Sequence, residues 1–265
     1  NEEIFADGKY FADMQVEEAE RFLEQNQETP FFLYMAFNLP HYPEQPDPAF
    51  AEQYAELPWP RNSYAPMITT MDDRIGQVLA KLDALNLSDN TLVIYMSDNG
   101  HSTEDYYNWG ESYGGNGGGG LTGQWRGAKG SFFEGGLRVP CVIRYPQLIA
   151  GNQVRDQAIT NMDFLPTLCD LLSIPLPANK LDGKSILPIL QSEEAVSPHE
   201  VMHWMWQHMW AVRKGDWKLI YKGHDTTGPY STHPELAFKM PEFWLGNLSD
   251  EHPEEIGRAS CRERV

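Results

Sequence analysis

Residues 68–100, ITTMDDRIGQVLAKLDALNLSDNTLVIYMSDNG, decide the fold of this chain. The first part predicts a long amphipathic helix, because apolar side chains recur every three or four positions. These apolar positions are Ile68, Met71, Ile75, Val78, Leu79, Leu82 and Leu85. Ser88-Asp89-Asn90 ends the pattern, and the apolar run Thr91–Met96 predicts a strand that is buried on both faces. Ser97-Asp98-Asn99-Gly100 then follows the carboxyl end of that strand.

The same order of helix and strand occurs upstream. Tyr10–Gln25 has the apolar spacing of a helix, and Thr29-Pro30 ends it. Seven consecutive apolar residues, Phe31–Phe37, predict another buried strand, and a proline-rich loop over residues 39–60 contains His41. Helix followed by apolar strand, twice over, predicts an α/β fold with a mainly parallel sheet flanked by helices.

Further elements follow, and the pattern changes near residue 195. Val139–Tyr145 predicts a third strand, and Asp163–Leu172 another helix. Short aromatic strands at 201–206, 210–213 and 217–221 then predict a small C-terminal antiparallel α+β subdomain, with Lys218 on its outer surface. We therefore divide the chain into residues 1–195, 196–257 and a tail, 258–265. The tail carries three arginines in an otherwise acidic chain, so we interpret it as non-native sequence.

Composition excludes several functional classes. The 265 residues include 20 Lys+Arg and 38 Asp+Glu, a formal net charge of −18, which argues against a nucleic-acid partner. The longest apolar run, Phe31–Phe37, is far shorter than the roughly 18 residues that span a bilayer, so no membrane span is expected. Cys141, Cys169 and Cys261 form neither a zinc pattern nor a disulfide framework.

Candidate functional residues follow the predicted strands. In parallel sheets ligands bind at the carboxyl ends of strands, where both His41 and Asp98 fall. Asp98 and Asn99 offer the hard oxygens that Ca²⁺ or Mg²⁺ takes, although the same residues are common in turns. Lys129, between Gly127 and Gly130, has the setting of an anion-binding lysine, and a solvated surface lysine is the alternative. His41 is a candidate anion donor or acid, or a histidine with a structural hydrogen bond.

The joint order of these motifs resembles the sulfatase family. A histidine follows one strand, Asp-Asn follows the next, and residues 127–140, GAKGSFFEGGLRVP, come after them. Residues 71–76, 211–220 and 245–250 are further matches, so the resemblance runs from about residue 10 to residue 255. The resemblance implies an alkaline-phosphatase-like α/β fold and a sulfuric ester hydrolase.

The same resemblance implies a role for each candidate residue. Asp98 and Asn99 match the second half of the family's single Ca²⁺ site. Lys129 matches the lysine that grips the sulfate ester, and His41 the histidine that contacts the sulfate or the leaving oxygen. The implied substrate is a sulfated carbohydrate or a small aryl sulfate. Family members are often exported, so a periplasmic or extracellular location is expected.

One part of the family pattern is missing from the sequence. The family nucleophile is a formylglycine made from the first residue of Cys/Ser-x-Pro-x-Arg, and no cysteine or serine here begins that motif. The family's Asp-Asp metal pair and its Lys-x-His also have no match. We expect these elements upstream of residue 1, in a protein of which this chain is an N-terminally truncated and inactive fragment.

Two other functions compete with this interpretation. One is a phosphodiesterase or phosphonate hydrolase of the same superfamily, which Asp-Asn in place of Asp-His argues against. The other is a non-catalytic carbohydrate- or cation-binding protein, in which the tryptophans of residues 201–210 stack on sugar rings. Its candidate residues are Trp204, Trp206 and Trp210, with His203 and His208 between them.

Overall fold

The computed structural model describes residues 8–103, 119–226, 241–250 and 254. These residues form two compact units. The first contains residues 8–91, 98–103, 119–139 and 224–226, and the second contains 92–97, 140–223, 241–250 and 254. The boundaries at residues 195 and 257 stay predictions, and the tail 258–265 lies outside the described residues.

The first unit is built on a pair of packed helices. Helix α1 spans Phe11–Gln25 and helix α3 spans Arg61–Ala84, and the short helices α2, Pro48–Ala51, and α4, Glu134–Leu137, belong to the same unit. The faces of α1 and α3 that are buried carry the apolar side chains Ala12, Val16, Ala19, Leu23, Met67, Met71, Val78 and Leu82. Both long helices predicted from apolar spacing are therefore confirmed, and α3 begins earlier than its first apolar marker.

The second unit contains two antiparallel sheets. Strands β1, Val93–Met96, and β2, Cys141–Arg144, pair antiparallel, with Val93 opposite Arg144. The other sheet has the order β3-β4-β5-β6, with every pair antiparallel. Its strands are Val201–Trp206, Met209–Lys214, Trp217–Tyr221 and Phe243–Asn247. Helices α5, Phe164–Leu171, and α6, Leu187–Gln191, complete this unit. The antiparallel strands predicted after residue 195 are confirmed.

The mainly parallel sheet is not found among the described residues. Residues 31–37 form no strand there, and exposure alternates along them, with Phe32 and Tyr34 75% and 80% exposed. That alternation suits a strand, but a strand also needs a hydrogen-bonded neighbour, and the described part of the chain places none beside it. β1 and β2 run antiparallel. The sequence did not predict this, because an apolar run indicates burial of a strand and not its direction.

Lys218 is not a surface residue. Its side chain is fully buried, and its Nζ lies 5.5 Å from the centre of the Trp204 ring. The register explains this position, because Lys218 pairs with Arg213 on the same face as the buried Ala211 and Ile220. The prediction that placed Lys218 on the outer surface is therefore wrong.

Candidate active site

Residues 126–138 form a folded loop that presents Lys129. Gly127 and Gly130 flank the lysine with φ angles of +82° and +84°, a conformation that favours glycine. Helix α4 begins five residues after Lys129 and carries the buried carboxylate of Glu134, which accepts a hydrogen bond from Arg138 at 2.6 Å. The glycine-rich sequence therefore encodes a specific backbone turn around the lysine.

This loop lies directly on the segment that follows Asp98 and Asn99. The Gly100 N–H donates to the Gly136 carbonyl at 3.0 Å, and the Lys129 N–H donates to the His101 carbonyl at 2.8 Å. A Cβ on Gly100 would lie 1.9 Å from the Gly135 carbonyl oxygen, so only glycine allows this approach. Two stretches about thirty residues apart in sequence are thus joined through their backbones.

His41 and Lys129 are brought together by the fold. The Lys129 Nζ lies 3.3 Å from His41 Nε2, and His41 Nδ1 lies 2.8 Å from the Tyr42 carbonyl oxygen. A carbonyl only accepts and an ammonium only donates, so both contacts hold at once only when the imidazole is neutral with its proton on Nδ1. The His41 side chain is exposed, which leaves the pair open to a ligand.

The loop that carries His41 is held by the helices. Tyr10 donates its hydroxyl to the Gln45 carbonyl at 2.6 Å, and Arg74 on α3 donates to Asp47 at 2.6 Å and to Asp13 at 2.7 Å. Burial alone would lower the pKa of the Arg74 guanidinium, but hydrogen bonds to Asp47, Asp13 and the neighbouring carboxylate outweigh it and raise that pKa. The pKa of Asp47 is lowered, first by the hydrogen bond from the backbone N–H of Ala49 and second by the hydrogen bond from Arg74.

Arg74 was not predicted as a functional residue. It lies in residues 71–76, which match the family's sequence but contain none of the predicted site residues. The signal in the sequence that could have identified it is a charged residue on the apolar face of α3, in step with Met71 and Val78. Its partners are Asp13, Asp47 and Asp73.

Asp98 and Asn99 supply only part of a cation site. Asp98 is exposed, and the Asn99 Nδ2 donates to the Gly100 carbonyl at 2.9 Å. Their oxygens have the hard chemistry that Ca²⁺ prefers. However, the described residues contain no group of three or more His, Cys, Asp or Glu side chains that could hold a metal ion. The pair therefore fits Ca²⁺ in chemistry, but two of the 6–8 oxygens that Ca²⁺ takes are not a complete site.

His101 is a partly buried polar side chain beside the Lys129 loop. Burial lowers the pKa of His101. Its buried Nδ1 makes no hydrogen bond within the part of the chain that the structure describes. Its backbone carbonyl, by contrast, is the acceptor for Lys129.

The three tryptophans of the competing carbohydrate-binding interpretation do not share one face. Trp204 and Trp206 alternate with Met205, and Met205 pairs with Trp210, so Trp210 lies on the opposite face of the sheet. Trp210 stacks on Tyr221 with ring centres 5.3 Å apart. These residues therefore do not form a single stacking platform for a sugar.

No helix in the described ranges is both long enough and apolar enough to cross a bilayer.

Comparison with known proteins identifies the family. The sulfatase family model matches residues 1–174, and a model described as N-sulphoglucosamine sulphohydrolase, C-terminal, matches residues 125–227. Steryl-sulfatase of Rattus norvegicus is 34% identical over 229 residues, which cover 82% of this chain and 38% of the relative. N-acetylgalactosamine-6-O-sulfatase of Bacteroides thetaiotaomicron is 30% identical over 260 residues, 94% of this chain and 49% of that protein.

A solved structure agrees with this assignment. It comes from a study of glycosaminoglycan metabolism by Bacteroides thetaiotaomicron and matches with a TM-score of 0.68 and 28% identity, covering 82% of this chain and 44% of that one. This chain thus spans less than half the length of each of these three proteins. Since the family model covers more than half of the 265 residues, the chain belongs to the sulfatase family.

Proposed function

We propose that this chain is part of a sulfuric ester hydrolase and contains the part of the active site that binds the sulfate group. The observation that carries the proposal is the 3.3 Å contact between Lys129 Nζ and His41 Nε2 in a member of the sulfatase family. These two side chains lie 88 positions apart in sequence, so the fold brings them together. Both offer N–H donors to an oxyanion when His41 is protonated.

Each of these residues has a specific task in this proposal. The Lys129 ammonium turns from His41 to the sulfate and neutralises negative charge on its oxygens. His41 then takes a proton from solvent at Nε2, the nitrogen that faced Lys129, and donates it to the oxygen of the departing alcohol as the bond between that oxygen and sulfur breaks. The Tyr42 carbonyl continues to accept from Nδ1 and orients the ring.

The cation and the nucleophile complete the proposal. Asp98 and Asn99 would hold one Ca²⁺ ion, which supplies positive charge next to the sulfate. The remaining ligands and the formylglycine nucleophile would come from sequence that these 265 residues do not contain, since no Cys/Ser-x-Pro-x-Arg motif occurs in them. We propose that the same sequence completes a mainly parallel sheet, and that residues 1–195 and 196–257 are the catalytic part and the C-terminal subdomain.

For the substrate we propose a sulfated carbohydrate or an aryl sulfate. Support comes from relatives whose names specify an N-acetylgalactosamine 6-O-sulfate and an aryl sulfate, respectively. A periplasmic or extracellular location is proposed with it, because members of the family that this sequence resembles are often exported. The net charge of −18 supports the absence of a nucleic-acid partner.

The test compares two classes of ester in the longer protein that carries these residues and the nucleophile motif. An aryl sulfate and an aryl phosphodiester are assayed side by side, with Ca²⁺ present. We expect turnover of the sulfate ester with a much larger kcat/KM than that of the phosphodiester. The opposite ranking would favour the phosphodiesterase interpretation, and no turnover of either ester would favour a binding protein.

A further inference from the structure

We propose that Thr226 and Asp225 are positioning residues for Lys129, and that residues 224–226 act as a clamp on the lysine loop. The inference rests on the proposed function, because it gives that role to residues that hold the proposed sulfate-binding lysine. Residues 224–226 come about a hundred positions after Lys129 and belong to the same compact unit. No candidate residue or motif predicted from the sequence includes Asp225 or Thr226.

Thr226 hydrogen-bonds to the backbone of Ala128, the residue that precedes the lysine. Its Oγ1 accepts from the Ala128 N–H and donates to the Ala128 carbonyl, both at 3.0 Å. Ala128 is completely buried and Thr226 is 3% exposed, so water cannot replace the hydroxyl. The Thr226 carbonyl in turn accepts from the Thr103 hydroxyl at 2.7 Å, which fixes the threonine from its other side.

A salt bridge and a hydrogen bond hold the loop on either side of Ala128. Arg126 and Asp225 form a salt bridge of 2.6 Å, with side chains 9% and 8% exposed. The Ser131 hydroxyl donates to the His224 carbonyl at 2.7 Å. The clamp therefore contacts the loop at positions 126, 128 and 131, which bracket Lys129 in sequence.

The consequence concerns the precision with which the ammonium is placed. A lysine side chain has four rotatable bonds, so its aim depends on a backbone that does not move. The clamp fixes that backbone, and the Lys129 N–H adds its own bond to the His101 carbonyl at 2.8 Å. Displacing a binding group by about 1 Å can cost ~10² in rate, so loss of the clamp should affect catalysis while Lys129 itself remains.

The experiment replaces Thr226 by valine, which keeps the shape and removes the hydroxyl, and by serine, which restores the hydroxyl. Thr91→Val is the matched control, because Thr91 also donates its hydroxyl to a backbone carbonyl, that of Leu87 at 2.7 Å. Amide hydrogen exchange at Lys129 is measured in the 265-residue chain. The kcat and KM for an aryl sulfate are measured in the longer protein, with circular dichroism as a check of folding.

For Thr226→Val we expect exchange at the Lys129 amide to accelerate about tenfold or more, and kcat/KM to fall by ~10². Thr226→Ser should restore most of both, and Thr91→Val should change neither. The proposal is overturned if Thr226→Val leaves exchange and kcat/KM unchanged, or if Thr91→Val has the same effect. If exchange accelerates but Lys129→Ala retains full activity, the proposed function has failed and Thr226 has a structural role only.

Discussion

The Lys129 loop and the Asp98-Asn99 pair differ in how completely each is built. The loop is held by buried hydrogen bonds from Thr226, a buried salt bridge from Asp225 and the backbone carbonyl of His101. Asp98, in contrast, is exposed, and the described residues contain no group of three or more His, Cys, Asp or Glu side chains that could hold a metal ion. If the proposed function holds, the described residues build the anion-binding half of the site, whereas they supply only part of the cation-binding half.

The largest expected effect follows from that difference. We predict negligible sulfatase activity for the 265-residue chain alone, since the sequence contains no nucleophile motif and the described residues contain no complete group of metal-binding side chains. Sulfate release from an aryl sulfate, with and without added Ca²⁺, measures this. Robust turnover would show that the chain contains a complete site and would remove the contrast between the two halves.

The next effect is that of removing the lysine from the longer protein. Lys129→Ala should lower kcat/KM by ~10²–10³, or about 3–4 kcal/mol, because an electrostatic contact to the reacting group is lost. Lys129→Arg should restore only part of the lost kcat/KM, since the planar guanidinium of arginine does not replace the compact ammonium of lysine. Lys180→Ala is the control, as Lys180 is exposed. Near-parental activity of Lys129→Ala would mean that the loop is not the sulfate site.

A smaller effect is expected on stability. Gly100→Ala should destabilise the chain by about 1–3 kcal/mol, because the added Cβ would lie 1.9 Å from the Gly135 carbonyl oxygen and overpack the contact. Gly76→Ala on α3, where a Cβ would meet open space, is the control and should stabilise by up to about 1 kcal/mol. Urea denaturation of both variants measures the difference. Equal stabilities would show that the two backbone stretches are not in close contact.

The smallest effect is expected for the cation. The 265-residue chain should bind Ca²⁺ weakly, and Asp98→Ala should remove what binding there is, because the proposed pair supplies two of the 6–8 oxygens that Ca²⁺ takes. Isothermal titration calorimetry of both forms is the measurement. Tight stoichiometric binding that survives Asp98→Ala would place the cation elsewhere and contradict the assignment of Asp98 and Asn99.

Elements with regular spacing could be predicted from the sequence. The apolar periodicity of α1 and α3 and the aromatic hairpins of β3–β5 each depend on neighbours close in sequence. The direction of β2 relative to β1 could not be predicted, because it depends on the fold of the chain and not on the residues of either strand. The buried position of Lys218 was missed because the alternation of β5 fixes which residues share a face but not which face is buried.

The candidate site divides in the same way. His41 and Lys129 could be proposed because their motifs are local and follow predicted elements, and the structure places them in contact. The clamp at Asp225 and Thr226 could not, since its partners lie about a hundred positions away and have no periodic signal. Long-range hydrogen bonds between loops depend on the folded backbone and leave no pattern in the sequence.

The most direct test of the account is the protonation pattern of the His41 ring, read from ¹⁵N NMR shifts of the labelled 265-residue chain. We predict a ring with its proton on Nδ1, where the Tyr42 carbonyl accepts it, and a changed Nε2 shift in Lys129→Ala, where the ammonium no longer donates to that nitrogen. Added sulfate, against chloride at equal ionic strength, should change the Nε2 shift of His41 in the parent chain, because Lys129 turns to the anion, and should leave His208 unchanged. A His41 ring that is identical with and without the Lys129 ammonium, and unaffected by sulfate, would contradict the central claim that these two residues form the anion-binding half of the site.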